Sequence, residues 1–205
     1  MSAPTPLPPR LRPDLAIISQ WIEPGARILD VGCGDGTLLK HLARTRDVQG
    51  YGLERAPENV SACIARGVNV IQTDLDEGLR EFETDSFDYV VVTQTLQALV
   101  RPDLALEEFL RVGRTCIVTF PNFGHWRVRL ALAQGHMPVT PALPAQWYDT
   151  QNIHLCTVDD FEALVAAKNW RVLRRSLVDR THLDGWRIRA WPNLFCEVAL
   201  YMLRD

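Results

Sequence analysis

Residues 30–36 read Asp-Val-Gly-Cys-Gly-Asp-Gly. Three glycines at alternate positions form a turn from which no Cβ projects, so a ligand can approach the backbone closely. Asp30 and Asp35 bracket that turn. Beside a pyrophosphate two carboxylates repel; beside a cation they attract. A dinucleotide loop runs G-x-G-x-x-G and seats its pyrophosphate on a helix N-terminus. Here the spacing is G-x-G-x-G, and the third glycine of the dinucleotide pattern falls on Thr37. Two more acids follow at intervals. Glu54 ends the stretch Gly50-Tyr51-Gly52-Leu53-Glu54, and Asp74 precedes Leu75 after Val70-Ile71-Gln72-Thr73. A carboxylate about 20 residues past the glycines accepts hydrogen bonds from ribose hydroxyls. The Asp74 carboxylate can accept from an adenine amino group while the Leu75 N–H donates to a ring nitrogen.

These residues describe an adenosine that carries positive charge instead of phosphate. S-adenosylmethionine, with an ammonium and a sulfonium, meets that description better than NAD, which leaves an NAD-dependent reductase disfavoured. S-adenosylhomocysteine is the companion ligand. The residues expected around it are Asp30, Gly32, Cys33, Gly34, Gly36, Glu54, Asp74, Leu75 and Thr93. Cys33 lies inside the loop, where packing asks only for a small residue, and no neighbouring base marks it as a nucleophile.

Methyl transfer from a sulfonium is an in-line displacement that needs alignment and a nucleophile relieved of its proton. An acceptor would sit above the ends of the fourth and fifth strands. There the chain offers Thr93, Gln94, Gln97, Asn122, His125 and Trp126, with Trp147, Tyr148, Asn152 and His154 further on. His125, His154 and Tyr148 are the candidates for proton transfer. Each also has a structural reading, as a capping or core histidine or a packed ring. The fourth strand is not followed by Asn-Pro-Pro-aromatic, which disfavours a DNA adenine as acceptor.

The elements that must position these groups alternate. Short apolar runs at Arg27–Val31, Val48–Leu53, Val68–Gln72, Phe87–Thr93 and Thr115–Phe120 read as buried parallel strands. Helical spacings fall between them at Thr37–Arg44, Pro57–Arg66 and from Pro102, with a lead-in helix at Ala16–Trp21. Thr157, followed by Asp159 and Asp160, caps a last helix. Trp170–Leu177 and Phe195–Leu203 read as two final strands joined as a hairpin, so that one runs antiparallel. The expectation is one doubly wound α/β domain over residues 14–205, a Rossmann-like and mostly parallel sheet behind a proline-rich arm at 1–13. Residues 124–150 are irregular and longer than an ordinary loop, as in a lid or substrate-facing insertion.

Bulk properties narrow the classes further. The 205 residues fit one domain, and a net charge of −3 gives no global pull toward nucleic acid or an anionic membrane. Arg171–Arg189 is locally arginine-rich, a solvated face or a docking surface. No run approaches the roughly 18 apolar residues of a membrane span, and the arm lacks the apolar centre of a signal peptide. Cys33, Cys63, Cys116, Cys156 and Cys196 are odd in number and scattered, without a C-x-x-C pair, so no metal site is expected. Together these features fit a cytoplasmic protein with reduced thiols.

The order of the glycine motif, Glu54 and Asp74 resembles class I S-adenosylmethionine-dependent methyltransferases over roughly residues 14–120. That resemblance implies a seven-stranded sheet with a final antiparallel strand. The stretches LDVGCGDGTLL, YGLE, DYVVVTQTLQ, TFPNFGHWRVR and WYDTQNIHLCT are similar to the MetW family over about residues 14–185. This closer resemblance implies a place in bacterial methionine biosynthesis beside homoserine O-acyltransferase. The implied role is that of a cofactor-binding accessory or regulator; an active methyltransferase on a small molecule is the alternative. Trp126 and Trp147, or the Arg171–Arg189 edge, are the candidate docking anchors.

Overall fold

The computed structural model describes residues 11–179 and 185–205. Most of the expected proline-rich arm, and positions 180–184 of the arginine-rich segment, therefore lie outside the described residues.

Seven strands form one sheet: β1 (Arg27–Val31), β2 (Gln49–Glu54), β3 (Val70–Gln72), β4 (Tyr89–Thr93), β5 (Cys116–Pro121), β6 (Arg171–Val178) and β7 (Val198–Arg204). Their spatial order is β3-β2-β1-β4-β5-β7-β6. The first five run parallel, and β7 lies antiparallel between β5 and β6. The chain builds outward from β1 to β3, then returns to the other side of β1 with β4. That reversal opens a crevice at the carboxyl ends of β1 and β4, where open α/β sheets bind ligands.

The central strands are buried on both faces, which is why they read as continuous apolar runs. Alternation still sorts them. Leu29, Val31, Val90, Val92, Val118 and Phe120 enter one core, and Ile28, Val91, Ile117 and Leu200 enter the other. Helices α1 (Pro13–Trp21), α2 (Thr37–Arg46), α3 (Pro57–Ala65), α4 (Pro102–Val112) and α6 (Val158–Ala167) follow the sequence reading closely. Pro13, Pro57 and Pro102 sit where a helix start needs no N–H. Thr157 and Asp160 form the reciprocal capping box at the head of α6.

Two parts differ from expectation. The segment read as irregular contains α5 (Trp126–Ala133). Its Arg, Leu and Ala residues are good helix formers, but Val128 is its one buried residue, so no apolar stripe advertised it. The final strands do pair antiparallel, yet a tight hairpin does not join them. Two short helices, α7 (Trp186–Ala190) and α8 (Pro192–Phe195), occupy the connection. Such short helices are set by tertiary packing and leave almost no periodic signal. Among the described residues no helix is long and apolar enough to cross a membrane.

Candidate functional site

The glycine loop between β1 and α2 hangs from the end of β2. The Gly32 and Cys33 N–H groups both donate to the Leu53 carbonyl, at 2.9 and 3.1 Å. Glu54 gathers the surrounding backbone. One carboxylate oxygen accepts from the Gly34 N–H at 2.9 Å; the other accepts from the Arg55 and Ala56 N–H groups at 2.8 and 2.9 Å. Gly32 has φ +72°, and a Cβ there would collide with the Thr95 side chain. Gly34 has φ +55° with open space beside its Cα, while its N–H is held by Glu54 and its carbonyl accepts from the Cys63 thiol at 3.2 Å.

The loop's side chains divide their work. The Cys33 thiol packs inward against Gly52 and lies 3.8 Å from the Cys63 sulfur. Burial, with the Asp30 charge nearby, pushes its pKa well up. It is a packing residue, in line with its small size. Asp35 does not face a ligand as its neighbourhood suggested. It pairs with Arg66 at 2.6 Å and accepts from the Thr37 N–H at 3.1 Å. Burial opposes its charge, but the Thr37 and Arg66 hydrogen bonds prevail and hold its pKa below the usual value. Asp30 is only 1% exposed, and its Oδ1 has no hydrogen-bond partner. Burial raises its pKa to about 7; the Arg12 charge works against that rise, and Glu54 adds to it.

Beside the loop lies a cavity of about 270 Å³. Of the residues expected from the sequence, Gly32, Glu54, Asp74 and Leu75 line it. Glu58, Asp76, Thr95 and Gln151 also line it; none was assigned to the site from the sequence, although Thr95 and Gln151 lie in the stretches that carry the family resemblance. Four carboxylates thus face one guanidinium, that of Arg55. This balance suits a cationic ligand and opposes a pyrophosphate. Asp74 also heads a 3-10 turn at Leu75–Glu77, accepting from the Asp76 N–H at 3.1 Å. Gln94 lines the opposite wall with φ +52°, held there by its N–H bonds to the Thr119 carbonyl and hydroxyl. A non-glycine residue in that region marks a position the surroundings over-determine. Asp30, Cys33, Gly34, Gly36 and Thr93 are not among the residues that line the cavity. The unpartnered Asp30 oxygen, the open space beside the Gly34 Cα and the acidic wall fit S-adenosylmethionine.

The acceptor candidates do not converge. Asn122 is saturated: its amide donates to the Asn193 and Cys196 carbonyls, and its oxygen accepts from the Gly124 and Val158 N–H groups. His125 caps α5, its Nδ1 accepting from the Arg127 N–H at 3.4 Å. Burial, assisted by the Arg127 charge, lowers its pKa to about 4, so the ring is neutral at pH 7. Glu197 stands 3.9 Å from Nε2, too far for a hydrogen bond. His125 lines a separate depression of about 310 Å³ with Trp126, Trp186 and Glu197. The His154 ring lies 3.0 Å from the Val100 carbonyl. Tyr148 is 71% exposed and packs edge-on against Trp147. Among the described residues no hydrogen bond joins any two of His125, His154 and Tyr148, and no group of three His, Cys, Asp or Glu side chains could hold a metal.

The sheet order with its antiparallel β7, and the acidic cleft beside the glycine loop, define the class I methyltransferase fold. The S-adenosylmethionine-dependent methyltransferase of Archaeoglobus fulgidus superposes with a TM-score of 0.68 at 14% identity, over 94% of this chain and 91% of that one. The enzyme from Mesorhizobium loti gives 0.67 at 17% identity, over 95% and 98%. Within this fold the chain belongs to the MetW family, described as methionine biosynthesis protein MetW, whose profile matches residues 12–203. The bifunctional methionine biosynthesis protein MetXA/MetW of Rhodopirellula baltica is 36% identical over 169 residues. That match takes in 78% of this chain but only 27% of the relative's length.

Proposed function

We propose that this protein binds S-adenosylmethionine or S-adenosylhomocysteine in the acidic cleft and acts in the cytoplasm as an accessory or regulator of homoserine O-acyltransferase. The observation that carries the reading is the relative that unites MetXA and MetW in one polypeptide. Fusion keeps two activities at one place and one ratio, which favours functions that work together. The cleft supplies the second half. In this reading Glu54 accepts from the ribose, Asp74 and Leu75 meet the adenine, and the loop backbone with Asp30 receives the charged amino-acid end. When bound, the cofactor would supply an activated methyl group, which a regulator leaves unused.

The physical logic is feedback. S-adenosylmethionine is made from methionine, so its level reports the output of the pathway whose acyl transfer comes early. For the ligand to govern the partner, the loaded and empty forms must bind it with different affinity, and the coupling is then reciprocal. Calorimetric titration with S-adenosylmethionine, S-adenosylhomocysteine and NADH tests the cleft; tighter NADH binding overturns the ligand assignment. Co-expression with the acyltransferase, followed by co-elution and acyl-transfer assays with and without the cofactor, tests the role. No co-elution with unchanged rates overturns it. The second reading, a small-molecule methyltransferase, rests on the fold; methyl transfer to a metabolite by the protein alone would establish it.

A further inference from the structure

Large exposed apolar side chains are unevenly spread. Among the described residues nine of eighteen fall between positions 126 and 155. Trp147 and Tyr148 stand out, each 71% exposed, with ring centroids 5.7 Å apart and planes at 87°. A turn closed by the Asp149 N–H and the Gln146 carbonyl, at 3.2 Å, presents them. Ile153 and Leu155 continue the apolar surface at 56% and 44% exposure. An exposed Trp-Tyr pair with further exposed apolar side chains along the same segment has the composition of a protein-binding hot spot.

The inner side of the same segment touches the cofactor cavity. Gln151, three residues past Tyr148, lines it. The Ile153 and His154 N–H groups both donate to the Gln97 carbonyl, at 2.9 and 3.0 Å, and the His154 ring reaches the Val100 carbonyl. Gln97 lies in the 3-10 turn Leu96–Ala98, directly after the cavity residues Gln94 and Thr95. The Gln97 side chain donates back to the Gln94 carbonyl at 2.6 Å, and its own oxygen is buried without a partner. One short strap therefore carries exposed aromatics outside and a cavity wall inside. By contrast, Trp126 is less exposed, at 41%, and is partly covered by the Arg127 guanidinium. On β6, Arg175 is held by Glu162 at 2.8 Å.

We infer that the 146–155 strap is the docking element for the acyltransferase, with Trp147 as its anchor, and that Gln151 transmits cofactor occupancy to it. The inference rests on the partner proposed above. It specifies an apolar pocket on the acyltransferase as the receptor for Trp147. Because the strap is pinned through Gln97 to the turn that walls the cavity, a ligand that shifts Gln94, Thr95 or Gln151 biases the orientation of the aromatic pair.

The test uses the full-length protein with the purified acyltransferase. Wild type, Trp147→Ala, Trp147→Phe and Gln151→Ala are each titrated against the partner, with and without S-adenosylmethionine. Trp147→Ala should weaken partner binding at least tenfold, with S-adenosylmethionine affinity within twofold of wild type and an unchanged melting temperature. Trp147→Phe should recover most of the loss. Gln151→Ala should still bind the partner, but the ratio of its affinities with and without the cofactor should fall toward one. Reciprocity requires the saturating partner to shift the cofactor affinity of wild type, and not that of Gln151→Ala, by the same factor. If wild type binds the acyltransferase and Trp147→Ala binds equally well, this inference is overturned while the proposed function stands. If wild type does not bind at all, the proposed function fails and takes the strap with it. If Trp147→Ala instead disperses a homodimer and leaves acyltransferase binding intact, the strap is a self-association surface and the inference is overturned.

Discussion

The carboxyl ends of β1, β2 and β3 and the region that follows β5 use similar polar residues for opposite ends. Around β1 to β3, polar groups hold backbone in place and still face a cavity: Glu54 gathers three N–H groups and lines the wall, and Asp74 heads a turn and lines it too. After β5, the polar groups are consumed. Asn122 makes four hydrogen bonds within the fold, and His125 caps a helix in a neutral state. Apolar side chains that would ordinarily pack are instead outside. One region leaves a cavity lined by carboxylates; the other holds its own loops and exposes apolar side chains.

That contrast predicts which property each substitution damages. Asn122→Ala should have the largest effect, on stability. It strands two N–H groups and two carbonyls, each worth about 1–3 kcal/mol when buried without a partner, so a loss of about 3–5 kcal/mol is expected after partial relaxation. Urea denaturation measures it. S-adenosylmethionine affinity of the molecules that remain folded should stay within about twofold; a large loss of affinity at intact stability would place Asn122 in the ligand site and erase the contrast. Glu54→Ala should show the reverse pattern. Charge-assisted hydrogen bonds contribute about 1.5–3 kcal/mol, so cofactor affinity should drop about ten- to a hundredfold; the Gly34, Arg55 and Ala56 N–H groups that lose their acceptor are part-buried or exposed, where water can replace it, so the melting temperature should fall less than in Asn122→Ala. Glu54→Gln separates the two duties of the carboxylate, because it keeps one acceptor oxygen for the backbone. An unchanged dissociation constant in both variants would put the ribose elsewhere.

Legibility in the sequence followed the same divide. The strands, the glycine loop, Glu54 and Asp74 were readable because each sits at a fixed offset in a repeating β-α unit and its local chemistry agrees with its place. Asp35 misled, because its salt bridge depends on Arg66, 31 residues further along the chain. Glu58 and Asp76 carried no local pattern, and the stretch that holds Gln151 did not point to the cofactor; only the fold brings them to one cavity. Helix α5 was hidden by its exposure, since amphipathic periodicity records burial and only Val128 is buried. Asn122 was picked out by its place after β5, but a sequence cannot show that three of its four hydrogen bonds go to chain 36 to 74 residues away.

The smallest expected effect probes the first region from beneath. Asp30 is buried with an unpartnered oxygen and a pKa raised to about 7, chiefly by burial. In the unfolded chain the group returns to its ordinary value of 3.8. Folding therefore favours the protonated form, and this group's contribution to stability, full below pH 3.8, is withdrawn as pH rises toward about 7. A bound ammonium or sulfonium reverses the preference, because positive charge nearby favours the carboxylate. Binding should then release a proton in the window just below pH 7. If only the ionised form binds, affinity should rise severalfold to about tenfold between pH 6 and 7.5, a range that stays below the ligand's own α-amino pKa of about 7.7–8.0. Calorimetry in buffers of different ionisation enthalpy measures the released proton directly. Asp30→Asn should abolish both the release and the pH dependence in that window, and a wild type without either would remove Asp30 from contact with the ligand's charge. S-adenosylhomocysteine refines the result. It keeps the ammonium and lacks the sulfonium, so equal proton release with both ligands assigns the effect to the amino-acid end, while a smaller release with S-adenosylhomocysteine assigns part of it to the sulfonium.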